Sequence, residues 1–529
     1  MPHKHSSTQG DDEKSLPPTN TPPLEHESSL VQPVDSPNFL LVDWDGPTDP
    51  LNPKNWPYRQ KWAATFVVSS FTFISPISSS MVAPATTQIA QEFGVTSTVV
   101  IAMMTSVFVL GYAVGPLVRS IEYSNAQQAN GVEKFLGPLS EIYGRSRVLQ
   151  LANLFYLVWN LAGGFARNKG EFIAFRFLAG IGGGAPLSIG GGVLGDTWKP
   201  EERGKAMAIY SLAPVLGPVI GPVCGAWIAE RSTWRWVFWS TSIVDAAIQI
   251  SGLFYLQETY APLLLEKKAK KIRETMDTEK GQTIQVRTVF DPTDDSRRWK
   301  FILGTALTRP FIIFAREPII QLLGIYMAFM YGVFYLYLTT LPGIFEGTYH
   351  ERTSIAGLHY ISLGVGLTIA SQINTRFIDR IYIRFKTKNN DIGEPEFRLP
   401  PMIPGTIVLP IGLFITGWGA QEHIHWIVTD IGIALVGVGL ILNIQSIQTY
   451  IVDAFTLYAA SALAAAACFR SLAGFGFPLF APAMYDKLGY GKGDTVLAVV
   501  AIVIGCPAPW ILWYYGKRIR LSSRYARRP

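Results

Sequence analysis

Charged residues are scarce in this sequence: they make up 16% of 529 residues, against about 25% in a soluble domain. Cysteine is scarcer, since Cys224, Cys468 and Cys506 lie in apolar runs without the spacing of a disulfide framework or metal site. We find no nucleophile–base motif, no metal-ligand cluster and no phosphate loop in a suitable context. The sequence therefore predicts no enzyme, no cofactor or metal, and no ATP-driven pump.

Long apolar runs are what the chain has in abundance, and 49% of its residues are hydrophobic. A bilayer core about 30 Å thick requires roughly 20 apolar residues per crossing helix. The runs predict an all-α membrane protein with twelve transmembrane helices in two six-helix halves. The predicted spans are 62–84, 99–118, 148–166, 172–194, 206–229, 234–256, 318–345, 355–374, 401–420, 424–450, 457–481 and 495–515.

Polar stretches divide the chain into regions. The proline-rich, polar residues 1–60 cannot bury enough apolar area to offset chain entropy, so we predict a disordered cytoplasmic tail there. Next come a six-helix bundle at 61–257, a charged central loop at 258–317, a second bundle at 318–516 and a basic tail at 517–529. We expect the loop to be a linker whose basic amphipathic helix lies on the membrane surface.

The distribution of lysine and arginine predicts the orientation. With the N-terminus inside, the inner segments hold 36 of these residues and the outer loops hold 6. This asymmetry follows the positive-inside rule, so both termini are expected to be cytoplasmic. A net charge of +6 distributed in this way does not predict nucleic-acid binding.

One motif lies between the second and third spans. Gly137 and Gly144 permit a tight turn there, while Glu141 and Arg145 can form charge pairs that stabilise one state of a gate. The alternative is an ordinary turn in a positively charged inner loop.

Two ionisable residues lie within predicted spans. Arg176 should face a cavity or a partner, because an arginine surrounded by lipid costs several kcal/mol. Its alternative is a side chain that snorkels to the headgroups. Asp245 is the embedded carboxylate that we expect to bind a coupled proton, although it could instead be a carboxylate bonded to a hydroxyl or the backbone.

The fifth span has a regular pattern of small residues. Gly217, Gly221 and Gly225 are four residues apart and share one helix face, where another helix can approach closely. Pro218 and Pro222 remove backbone hydrogen bonds and bend the helix. We interpret the segment as a moving hinge, with a static packing groove as the alternative.

Together these motifs resemble the major facilitator superfamily, and in particular its fungal drug–proton antiporters with twelve spans. The resemblance extends over residues 40–520 and includes Asp49–Pro57, Glu258–Pro262 and Arg470–Tyr485. It implies that the first motif gates, that Arg176 couples to protons, and that the fifth span is the antiporter motif. Two departures stand out: Glu141 replaces the usual aspartate, and a polar insert at 119–134 separates span two from the gate, which we expect to weaken transport.

The resemblance implies proton-coupled export of drugs, toxins or secondary metabolites by alternating access. We expect a monomer in the plasma membrane whose partners are the lipid bilayer, protons and a small amphipathic or aromatic solute. Candidate cavity residues are Tyr331, Tyr335, Asn443 and Gln448. The alternatives are uptake of a nutrient such as a sugar or polyamine, and a receptor that binds without transporting.

Overall fold

Helices dominate the computed structural model, which describes residues 39–119, 143–199, 202–279, 285–289, 311–523 and 526. Six long helices come first, separated by short turns where the chain is described. They are α1 Tyr58–Ser80, α2 Thr98–Arg119, α3 Arg145–Gly163, α4 Lys169–Thr197, α5 Arg203–Arg231 and α6 Arg235–Tyr255. A short helix, Thr86–Glu92, follows α1.

The second group of helices follows a loop helix at Ala261–Glu279. It begins with α7 Pro318–Pro342, α8 Tyr360–Lys388, α9 Met402–Gln421 and α10 Trp426–Phe455. The last helical run, Ala459–Gly505, contains non-helical backbone at Gly489 (φ 74°, ψ 170°) and is followed by Pro507–Ser522. We therefore call residues 459–488 α11 and residues 490–522 α12.

The helices of the described residues correspond to twelve crossings. Nine helical runs are long and apolar enough to span a membrane, and Gly489 divides the longest of them into two. α2 and α3 supply the other two crossings. Large apolar side chains cover the outer surface of the bundle, as Phe254 does on α6 with 74% of its area exposed. So much exposed apolar surface is expected only where lipid covers it.

The N-terminal segment, residues 39–57, corrects the prediction of a disordered tail over residues 1–60. Strand β1 (Phe39–Val42) pairs in parallel with β2 (Gln285–Thr288) from the central loop. Trp56 is buried against the first bundle, and residues 58–60 already belong to α1. The prediction is wrong for residues 39–60, and it could not foresee β1 because the strand that pairs with it lies more than 200 positions along the chain. Residues 1–38 lie outside the described chain.

Asp49 anchors this segment. Its carboxylate accepts backbone N–H bonds from Asp45 and Leu51, both at 2.8 Å, and lies 3.8 Å from the Lys268 ammonium. Burial acts to raise the pKa of Asp49, but these donors and the nearby cation outweigh burial and lower it. The carboxylate is thus held in its charged form, bound to the loop helix.

The loop helix is basic, as expected, and part of its apolar surface packs on the two-stranded sheet. Ala269 is buried in a small cluster with Val42 of β1 and Val286 of β2, and Lys268 forms an ion pair with Asp45 at 2.6 Å. The sheet therefore covers Ala269 on this helix, and the predicted position of the helix on the membrane surface stays a prediction.

Replacing Val286 with aspartate should release the N-terminal segment, because an unpartnered buried carboxylate costs several kcal/mol. We expect trypsin to cleave within residues 54–61 at least about tenfold faster in detergent-purified protein. Val289→Asp is the matched control, since Val289 is 48% exposed. Equal cleavage of the two variants would contradict the observed packing of β2.

Candidate functional site

The first part of the site is the turn that begins α3. Gly144 has φ 94° and ψ 151°, a conformation that other residues avoid. The next backbone N–H, that of Arg145, donates to Glu258 Oε1 at 2.9 Å. A Cβ atom on Gly144 would lie only 2.8 Å from Leu263, so glycine is required for this close approach. The Glu258 carboxylate therefore caps the positive end of α3.

Arg145 links this turn to the end of α4. Its buried guanidinium forms an ion pair with Asp196 and lies 5.3 Å above the ring of Tyr260. Gly137 and Glu141 lie outside the described residues, so the charge pairs predicted for Glu141 stay a prediction. The sequence analysis missed Asp196 as a gate partner, although an acidic residue directly after the glycines of span four was a usable signal.

A second ion-pair cluster lies at the same end of the other half. Arg398, before α9, pairs with Asp379 of α8 at 2.5 Å and Asp453 of α10 at 2.8 Å. Glu396 pairs with Arg520 of α12 at 3.1 Å, and both side chains are buried. Each half thus has charged contacts that tie its helix ends together.

Arg176 lies deep in the first half, 1% exposed, so it does not snorkel to the headgroups. Its guanidinium donates to the carbonyls of Ser78 (2.8 Å), Ser79 (3.0 Å) and Thr105 (2.9 Å), and lies 4.9 Å above the Phe108 ring. These contacts join α1, α2 and α4. Within the described residues Arg176 forms no ion pair, so it does not meet Asp245 directly.

Asp245 is fully buried on α6. Its Oδ1 accepts a hydrogen bond from Asn153 of α3 at 3.0 Å, whereas Oδ2 has no hydrogen-bond partner in the described part of the chain. Within the described residues, the Asp245 carboxylate therefore bonds to neither a hydroxyl nor the backbone, which was the alternative. A buried carboxylate with a free oxygen is a candidate for reversible proton binding.

A row of polar side chains runs along the α3–α6 contact through Asp245. Its members are Ser146, Gln150, Asn153 and Asn160 on α3, and Thr241, Ser242, Asp245 and Gln249 on α6. On α3 they are four, three and seven positions apart, and on α6 they are one, three and four positions apart, so on each helix they lie near one face. Toward the gate, the row ends where Ser146, next to Arg145, donates to the Leu256 carbonyl at 2.5 Å.

The other end of this polar row approaches Arg176. The Asn160 amide donates to Ser242 at 2.9 Å, and its oxygen accepts from Ser78 at 2.7 Å. Ser78 also provides a carbonyl to Arg176. Tyr156 lies between Asn153 and Asn160 along α3, with its buried hydroxyl unpartnered in the described residues. Polar side chains thus lie between the two predicted proton-coupling residues, which form no ion pair, and the hydrogen bonds of the described residues are interrupted at Tyr156.

Asp494 is a buried carboxylate in the second half that the sequence analysis missed, because it lies just before predicted span twelve. Tyr485 donates to one of its oxygens at 2.6 Å and Tyr337 to the other at 2.9 Å. Both oxygens are therefore satisfied, unlike those of Asp245. The sequence did not indicate that Tyr485 and Tyr337 would donate hydrogen bonds to Asp494.

The predicted hinge glycines lie against α1. A Cβ atom on Gly217 would lie 2.7 Å from Pro76 Cβ, and one on Gly221 would lie 2.6 Å from the Ile77 carbonyl. Gly225 faces Met81 in the same way. These glycines pack two helices of the same half, and α5 stays one helix despite Pro218 and Pro222.

Contacts between the two halves come from a neighbouring face of α5. A Cβ atom on Gly364 of α8 would lie 2.6 Å from Val219, and Gly357 packs against Ala226. The Ser354 backbone N–H donates to Glu230 at 2.6 Å. The contacts of Ala226 and Glu230 join the halves at the end of the bundle opposite Arg145, and the contact of Val219 lies nearer the middle of α5.

Replacing Gly225 with alanine should destabilise the α1–α5 contact by about 1–3 kcal/mol, because the added Cβ would collide with backbone atoms of Met81. Thermal inactivation followed by size-exclusion chromatography would measure the loss. Gly191→Ala on α4 is the control, since nothing lies within 4 Å of its Cβ position. Equal stability of the two variants would show that α1 and α5 are not packed closely.

The predicted cavity residues separate into two groups. The rings of Tyr331 and Tyr335 lie 5.3 Å apart on α7, and Tyr335 contacts Ser79 of the first half at 3.3 Å. Asn443 is fully buried, donates to the Gly439 carbonyl and packs against Gly405 of α9. It occupies the α9–α10 contact and does not line a cavity. Gln448, on α10, is half-buried.

A family model described as Major Facilitator Superfamily matches residues 134–478, more than half of the chain. The chain belongs to the major facilitator superfamily. The match begins where the predicted insert of 119–134 ends. Residues 120–134 lie outside the described chain, so the expected effect of the insert stays a prediction.

Curated members of the superfamily are similar over nearly the whole chain. "Efflux pump vrtL" of Penicillium aethiopicum is 46% identical, over 92% of this chain and 91% of that protein. "MFS transporter cpaT" of Aspergillus oryzae is 41% identical, over 92% and 93%. These relatives confirm a membrane transporter rather than an enzyme.

Solved superfamily structures share the fold. The partially occluded, inward-open xylose transporter XylE from E. coli has a TM-score of 0.61 at 14% identity, covering 86% of this chain and 98% of its own. This likeness, together with the described helices, confirms the predicted fold class and a multi-pass membrane protein.

Proposed function

We propose that this major facilitator superfamily member exports a small amphipathic or aromatic solute by proton antiport. The observation that carries the proposal is Asp245, a buried carboxylate with one free oxygen. It lies in a polar row that leads to the gate at Arg145. Intramembrane acids that are joined to polar side chains are typical of proton relays. Export as the direction is supported by the printed name of the relative vrtL, an efflux pump.

Two contacts at opposite ends of the bundle support the proposal of alternating access. At one end, Gly357 and Ser354 join α5 of the first half. At the other, Arg145 and Asp196 tie α3 to α4 within the first half. We propose that proton binding at Asp245 alters the polar row along α3 and α6, which loosens the gate. The two halves then rock about a central site.

The orientation, location and assembly of the transporter belong to the same proposal. The lysine and arginine count supports cytoplasmic termini, so the gate at Arg145 would face the cytosol and the Ser354–Glu230 contact the exterior. We propose a monomer in the plasma membrane, with residues 61–257 and 318–516 as its two bundles.

Proteoliposomes provide the test. The purified protein is reconstituted and supplied with rhodamine 6G or 2-naphthoate, with an imposed difference of two pH units and the membrane potential clamped. We expect solute to move against its own gradient and to stop when nigericin collapses the pH difference. Transport that is indifferent to the pH difference would overturn proton coupling. Accumulation in the direction of proton flow would overturn antiport and indicate symport.

A further inference from the structure

Arg470 is an arginine that the proposed mechanism does not use. It lies on α11, about 17 Å along the helix from Ala459 and about 27 Å from residue 488. This depth lies within the hydrocarbon core of a bilayer, where a charged side chain is costly unless it has a polar partner. The side chain is half-buried, so part of its surface remains accessible.

The partner of Arg470 is aromatic rather than acidic. Its guanidinium carbon lies 4.9 Å from the centre of the Tyr331 ring. Its Nε is shielded from solvent and has no hydrogen-bond partner in the described part of the chain. Arg176 also has an unpartnered Nε, but its Nη atoms donate to three carbonyls, and Arg398 binds two carboxylates. Within the described residues, Arg470 therefore has donor groups without an acceptor.

The surroundings of Arg470 belong to both halves. One turn further along α11, a Cβ atom on Gly474 would lie 3.1 Å from Tyr335 of α7 and 3.1 Å from Val109 of α2. Tyr335 also contacts Ser79 of α1. A ligand at Tyr331 would thus touch the junction that must rearrange when the halves rock.

We propose that Arg470 binds the anionic group of an aromatic solute, a carboxylate or a phenolate, whose ring packs beside Tyr331. A planar guanidinium can donate two parallel hydrogen bonds to a carboxylate, and a tyrosine face can hold an aromatic ring. The proposal rests on the proposed export function and specifies its substrate class. A lipid headgroup is not the occupant, because the site lies far from both ends of α11.

Direct binding tests this assignment without any gradient. The purified protein in nanodiscs is titrated with 2-naphthoate and with 2-naphthamide, its neutral analogue of nearly equal shape, by isothermal calorimetry. Wild-type protein should bind the acid about ten- to hundredfold more tightly than the amide, as expected for a charge-assisted hydrogen bond. Arg470→Gln should remove this preference and leave the affinity for the amide unchanged.

Two further variants complete the experiment. Arg470→Lys keeps the charge but not the fork of donors, so it should retain part of the preference. Arg380→Gln removes an exposed arginine of α8 and should behave like the wild type. Equal affinity of the wild type for acid and amide, or a full preference in Arg470→Gln, would overturn the proposal. If Arg470→Gln does not fold, Arg470→Lys takes its place, and a full preference for the acid in that variant would overturn the proposal.

Binding and transport separate this inference from the function on which it rests. A preference for the acid that depends on Arg470, without pH-driven movement in proteoliposomes, would sustain the site and overturn antiport. Solute movement driven by the pH difference, without any preference for the acid, would sustain antiport and overturn the Arg470 site.

Discussion

Replacing Asp245 with asparagine is expected to abolish proton-driven accumulation of solute. A difference of two pH units stores about 2.7 kcal/mol per proton, enough for about a hundredfold solute ratio at one proton per neutral solute. Without the Asp245 carboxylate to bind the coupled proton, the pH difference cannot drive transport, so the solute ratio should fall to about one. Asparagine has nearly the same shape and can still contact Asn153, so the fold should persist.

Two measurements distinguish lost coupling from a damaged protein. Exchange of labelled for unlabelled solute across the membrane needs no net proton movement, and it should continue in Asp245→Asn. Asp486→Asn, which alters an exposed carboxylate on α11, should leave both activities intact. Retention of the full solute ratio in Asp245→Asn would refute the assignment of Asp245. Asp494 would then be the next carboxylate to replace.

Gly144→Ala should destabilise the protein by about 2–3 kcal/mol, the largest loss that we expect from adding a single methyl group. The backbone there has φ 94° and ψ 151°, a region that only glycine enters easily. The new Cβ would also displace Glu258, so the end of α3 would lose its cap and Arg145 its backbone partner. The apparent midpoint of thermal aggregation would measure this loss.

Gly204→Ala makes the matching control for this variant. Gly204 lies in the first turn of α5, at the same end of the bundle, and nothing lies within 4 Å of its Cβ position. Alanine there should be neutral or should stabilise the helix by up to about 1 kcal/mol. If Gly144→Ala were as stable as Gly204→Ala, the Glu258 cap would not be important for the gate.

Much of the fold was predictable because its cause is local. Each crossing helix must satisfy its own backbone in lipid, so runs of apolar residues predict spans without any knowledge of neighbours. Arg176 was predictable as a buried cation because an arginine surrounded by lipid is costly. The N-terminal segment was not, because β1 binds a strand more than 200 residues away, and composition near residue 40 does not reveal that strand.

The candidate site was predictable only in part. Asp245 and Arg176 stand out as ionisable residues within apolar runs. The polar row through Asp245 did not, since Asn153 and Gln249 become partners only when α3 and α6 are packed together. The hinge glycines were recognised as a packing face, but the sequence did not say that this face meets α1 of the same half. Gly137 and Glu141 lie outside the described residues, so their gating role stays a prediction.

By itself, the sequence determined that this protein lies in a membrane as a dozen helices, because hydrophobicity along the chain acts residue by residue. Only the tertiary structure decided which polar atoms keep partners and which do not. Arg176 donates through its two Nη atoms to three carbonyls, whereas Asp245 keeps a free oxygen and Arg470 a free Nε within the described residues. That difference depends on distances between helices, which no local pattern of residues specifies.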